Sequence, residues 1–161
     1  VDINQHIKMK NYYKFAVLCI LVLLSSCSLT GDEVGRLEIN KVSSKDNLVI
    51  KETKITLKKG DKINFWSDMN VTYEGDVALR FRIEILKDNL PYGALEIDPF
   101  EKKISIGEIK TDMNGKVKWS FTGKNASLNI DEDGNYTFRG FLMANENSTL
   151  EINKAEIAIK E

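Results

Sequence analysis

The feature that most constrains the fold is a strict two-residue alternation. Val77, Leu79, Phe81, Ile83 and Ile85 alternate with Ala78, Arg80, Arg82 and Glu84. Wound as a helix, the apolar side chains would scatter around the circumference; extended, they all fall on one side. The same period returns at Leu37 and Ile39, Ile55 and Leu57, Ile63 and Phe65, and Ile104 and Ile106. It continues through Val117, Trp119 and Phe121, then Tyr136, Phe138, Gly140 and Leu142, and ends with Ala155, Ile157 and Ile159. Gly60, Gly75, Gly93, Gly115, Gly123 and Gly134 punctuate these runs. About eight to ten half-buried strands separated by frequent turns predict an all-β chain, an antiparallel β-sandwich over residues 36–161. Its strand order is either an immunoglobulin-like Greek key or a jelly roll.

The turns add detail. Lys58-Lys59-Gly60-Asp61, set between two alternating runs, predicts a hairpin. Asn114-Gly115 predicts a second, tighter one, since both residues tolerate positive φ. Ile109 breaks the phase set by Ile104 and Ile106, which predicts a bulge at Gly107. The segment Glu132-Asp133-Gly134-Asn135-Tyr136-Thr137-Phe138 is similar to the tyrosine corner of immunoglobulin-like domains. That resemblance implies a bond from the Tyr136 hydroxyl back to nearby backbone. Phe138 stands where antibody domains keep a cysteine.

The beginning of the chain reads as an address. Phe15 to Leu24 are ten apolar residues in a row. A spanning helix needs about 20, whereas ten suit the apolar centre of a secretory signal peptide. Lys10 and Lys14 supply the positive flank, and Met9 reads as the initiator. Leu24-Ser25-Ser26-Cys27 resembles the lipobox of bacterial lipoproteins. The resemblance implies a signal-peptide helix within residues 1–26, cleavage before Cys27 and a covalent lipid on its sulfur. It also implies a tether over residues 27–35 and a protein anchored to a membrane without crossing it. Ser28 stands where the inner-membrane retention signal has aspartate, which points to the outer membrane, on its periplasmic or surface-exposed face.

Composition then removes most chemistry. The single histidine, His6, and both cysteines, Cys19 and Cys27, lie within the first 27 residues. Histidine-dependent triads and histidine-ligated zinc or copper are therefore not expected in the mature domain. A net charge of −1 argues against nucleic acid as a partner. Carboxylate pairs for a small glycoside hydrolase are unavoidable among so many acids and carry no information. Asp131, Glu132 and Asp133 are a candidate cation site; calcium would find oxygens there, but the spacing is not that of an EF-hand and a solvated turn is the favoured reading.

Trp66, Tyr73 and Tyr92, with Phe100, are candidates for stacking against sugar rings; Trp66 equally suits the core, where Trp119 is expected. Arg80 and Arg82 share a strand face and read as a solvated pair or an anion grip. Asn70, Asn125, Asn135 and Asn147 each open an Asn-x-Ser/Thr triplet, which carries little meaning in the bacterial lipoprotein that the lipobox resemblance implies. The expectation is a non-catalytic envelope module without a cofactor beyond the lipid. Its partner would be an envelope protein, or alternatively a glycan.

Overall fold

The computed structural model describes residues 30–161. Among them lie nine strands and no helix: β1 (Glu33–Glu38), β2 (Lys51–Leu57), β3 (Lys62–Glu74), β4 (Leu79–Lys87), β5 (Leu90–Ile97), β6 (Ile104–Met113), β7 (Lys116–Asn129), β8 (Gly134–Ala144) and β9 (Glu151–Lys160). One sheet has the order β1-β9-β3-β7-β6, the other β2-β8-β4-β5. The sandwich begins at Glu33, ahead of the expected boundary at 36, because Glu33 already pairs with Lys160. The expected signal helix and Cys27 lie outside the described residues.

The pairing resolves the strand order. β1 pairs with β9, β2 with β8, β3 with β7 and β4 with β5, all antiparallel. The first half of the chain thus runs alongside the second half as one long ribbon. Folded over on itself into two sheets, that ribbon is the jelly roll. An immunoglobulin-like order would place the last strand beside β8, whereas β9 lies between β1 and β3. β6 stands outside the eight-stranded ribbon, appended to β7 through the expected two-residue turn. There Asn114 and Gly115 have φ of 55° and 82°.

The core lies between the sheets and takes the alternating residues expected of it. Leu79, Phe81, Ile83 and Ile85 of β4 are buried, as are Leu37, Ile63, Phe65, Phe121 and Ile157 from the facing sheet. Phe138 meets Phe65 edge-on across the two sheets, with centroids 5.9 Å apart. The pair ties the two sheets together through the middle of the core. The tyrosine corner forms as the resemblance implies: the buried Tyr136 hydroxyl donates to the Glu132 carbonyl at 2.8 Å. Burial, followed by the neighbouring Tyr92, pushes its phenol up to about 12.

One turn is corrected. Lys58–Asp61 does not close a hairpin, because β2 and β3 belong to different sheets. The segment arches over the end of the sandwich, and Gly60 and Asp61 exchange backbone bonds with Ile130 at 2.7 and 2.9 Å. Ile55, Leu57, Ile63 and Phe65 all face the core from opposite sheets, so alternation alone could not separate an arch from a hairpin.

Candidate functional site on the outer face of β6 and β7

β6 is exposed along its whole length. Its ladder with β7 slips between Ile106 and Ile109, so two residues, Gly107 and Glu108, oppose one. Gly107 takes φ of 61°, the glycine-type bulge expected from the sequence. The bulge resets the phase: Ile104, Ile106, Ile109 and Met113 all end on the outer side of the sheet. They are 54%, 48%, 65% and 74% exposed.

The inner side of β6 holds it in that orientation. Glu108 accepts from Trp119 Nε1 at 2.9 Å and from Ser105 Oγ at 2.7 Å, and pairs with Lys102 at 3.0 Å. Bonds from Ser105, Lys102 and Trp119 hold its carboxyl down to about 2. Lys110 places its ammonium 4.0 Å from the Trp119 ring centroid, and Phe100 stacks on the same ring at 4.7 Å. Trp119 is thus half-buried at the rim of the core, boxed by charges and by two aromatics, Phe100 and Phe121. Turning β6 over would break the contacts that Glu108 and Lys110 make with Trp119 and Lys102.

The neighbouring strand supplies charge. Opposite Ile104, Ile106, Ile109, Thr111 and Met113 stand the outward residues Lys124, Thr122, Ser120, Lys118 and Lys116. Among the described residues no ion pair forms at Lys116, Lys118 or Lys124, and neither β6 nor β7 places a carboxylate on this side. The nearest acids across the sheet are Glu74, opposite Lys116, and Asp68, opposite Thr122. Asp68 is already engaged by Arg36 and Lys154. At the far edge Arg36 also joins Glu156 at 2.7 Å and Glu33 at 2.5 Å. The face is therefore charge-balanced at β1 and β9, and apolar and basic at β6 and β7.

The segment leading into β6 is pinned by Asn125, the extra residue where β7 slips against β3. Its Oδ1 accepts from the buried Ser67 amide at 3.0 Å, and its Nδ2 donates to the Asp98 and Glu101 carbonyls at 3.1 and 3.0 Å. Asn147 likewise donates to the Glu74 and Asp76 carbonyls at 2.9 and 3.0 Å.

The stacking candidates do not assemble. Trp66, 4% exposed, and Tyr73, 6% exposed, offer no open ring face, which corrects the expectation that they could stack on a sugar. Tyr73 points into the core, while Trp66 lies on the outer side with the Lys160 ammonium 5.1 Å from its ring. Tyr92 is half-buried and packs edge-on against Tyr136 at 5.2 Å.

The acidic turn does not converge either. Glu132 reaches Lys87 at 2.5 Å, and Asp133 accepts from the Lys59 amide at 2.7 Å. Among the described residues no group of three or more potential metal ligands comes together. Arg80 pairs with Asp98, and Arg82 with Glu96 at 3.4 Å, so both arginines already hold carboxylates of the chain itself. Sequence reasoning missed the outward row on β6, although its signals were present: a phase-resetting glycine, and charges at 108, 110 and 112 on the opposite side.

No protein-family model matches the chain, and no curated protein matches it in sequence. The class established by the fold is an antiparallel jelly-roll sandwich carrying one added, outward-facing strand.

Proposed function

We propose that the protein is a lipid-anchored module of the cell envelope that binds rather than catalyses, with the outer face of β6 and β7 as its binding surface. One observation carries this reading: a strand outside the jelly-roll ribbon is locked with its aliphatic row toward solvent. Contiguous exposed apolar surface rimmed by polar groups marks an interaction site. The Leu24–Cys27 lipobox supports acylation at Cys27, and Ser28 supports the outer membrane, on its periplasmic or surface face.

A glycan as ligand has weaker support. An open depression of about 400 Å³ on the other sheet is lined by Arg82, Glu84, Glu96 and Phe141, and offers one aromatic rather than a paired platform.

Two measurements test the proposal. Replacing Cys27 by serine should abolish labelling by a fatty-acid probe and signal processing at this site; labelling that survives the change refutes the anchor. A photo-crosslinker placed at Ile109 in intact cells should capture an envelope component, whereas one at Lys54, exposed on the other sheet, should not. Equal capture at both positions refutes the binding face.

A further inference from the structure

We infer that the occupant of the β6–β7 face is an anionic bilayer surface, so that the domain lies on the membrane to which its lipid fastens it. This rests on the proposed anchor and binding face and names what that face touches.

Two other occupants fit less well. Strand addition at the β6 edge is opposed by the Gly107 bulge, which breaks the ladder a second strand would need, and by the charges of Glu108 and Lys110 on the inner side. An acidic protein would meet the lysines but would need its own apolar strip alongside. A bilayer interface supplies both at once: acyl-chain boundary for Ile104, Ile106, Ile109 and Met113, and anionic headgroups for Lys116, Lys118 and Lys124.

The attachment point has the right reach. The outward row Arg36, Ala158, Trp66, Lys124, Ile104 crosses the sheet from β1 to β6 at the end where the chain enters β1. With neighbouring strands about 4.8 Å apart, Ile104 stands about 19 Å from β1. The six residue steps from Cys27 to Glu33 span at most about 20 Å. A tether of that length permits this face to reach the headgroups once Cys27 is acylated. Several weak contacts held close by a covalent anchor act at high effective concentration.

The test uses the full chain, expressed with its signal peptide, purified in detergent and reconstituted into vesicles. Mass analysis first reports whether Cys27 carries lipid; chains that lack it are added to vesicles from outside, so anchor and face are scored separately. An environment-sensitive fluorophore is attached to Ile109→Cys or, as control, to Lys54→Cys, with Cys19 replaced by serine and, for the chains without lipid, Cys27 replaced as well, so that the introduced thiol alone is labelled. In phosphatidylcholine vesicles containing phosphatidylglycerol, the label at 109 should shift to the blue and be quenched by nitroxide-bearing lipid, while the label at 54 stays in water. Lys118→Glu with Lys124→Glu should lower the inserted fraction about tenfold without changing the unfolding transition.

Quenching that is equal at both positions, or at 109 indifferent to charge reversal, overturns the inference. A silent label at 109 on vesicles, with a protein captured from the same position in cells, refutes the bilayer as occupant and leaves the binding face standing. Silence in both experiments removes the binding face as well.

Discussion

Asn125 offers the sharpest test of how the chain presents β6. Its side chain satisfies the Ser67 amide, in a residue with no exposed surface, and holds two carbonyls of the crossover between β5 and β6. Asn125→Ala leaves the buried amide without a partner, which costs about 1–3 kcal/mol. The Glu101 carbonyl is exposed and the Asp98 carbonyl part-buried, and loss of these bonds adds about 0.5 kcal/mol each. The expected total is about 2–4 kcal/mol, which moves a urea midpoint by about 1–2 M. Asn125→Asp separates the two functions of the side chain. A carboxylate still accepts from Ser67 but faces the Asp98 and Glu101 carbonyls with oxygen instead of N–H. In that variant the Ser67 amide should stay protected from hydrogen exchange, while the crossover loosens and Phe100 leaves Trp119. Urea unfolding and exchange at the Ser67 amide read both effects. If Asn125→Ala unfolds within about 0.5 kcal/mol of the parent and Ser67 remains equally protected, the latch reasoning is wrong.

Three further outcomes are expected. Tyr136→Phe should cost about 1 kcal/mol in denaturant unfolding through loss of the bond to Glu132, whereas Tyr136→Ala, which empties a core position, should cost about 3–5 kcal/mol; equal losses would refute the corner. Because the folded Glu108 carboxyl lies near 2 rather than 4.5, its bonds contribute fully above about 4.5 and are lost as the pH falls through about 2. The Trp119 indole N–H resonance should follow that low midpoint, and Glu108→Gln should abolish the titration. Gly107→Ala should cost about 1–2 kcal/mol through backbone conformation alone, since open space surrounds the added methyl group; Gly93→Ala, with equal space and no positive φ, should be close to neutral in the same melt.

Periodicity made the fold class, the Asn114-Gly115 turn, the Gly107 bulge and the tyrosine corner legible, because each depends on residues close together in the chain. Strand order was not legible. Whether β9 lies beside β3 or β8 depends on partners far apart in sequence, and an alternating run looks the same in either sheet. The Lys58–Asp61 arch was misread for that reason. Alternation also names two faces without saying which is inside. On β4 the charged side faces solvent; on β6 the charged side faces Trp119 and the aliphatic side is left out. Trp66 and Tyr73 show the same limit, since a strand aromatic declares its side only once its neighbours are known.

The pairing of the chain ends has a mechanical consequence. Among the described residues β1 is an outermost strand whose one ladder partner is β9, and Asp32 and Glu161 exchange backbone bonds at 3.1 and 2.9 Å where that ladder starts. A pull on the chain ahead of Asp32, directed away from the sheet, loads these bonds one after another, as a zip opens. The strand would part from Glu33 onward until Leu37 had to leave the interior. The four residues Glu33–Arg36, peeled up to that point, lengthen the free chain by about 13 Å. A domain held at its N-terminus would thus pay out chain under load before giving up its fold.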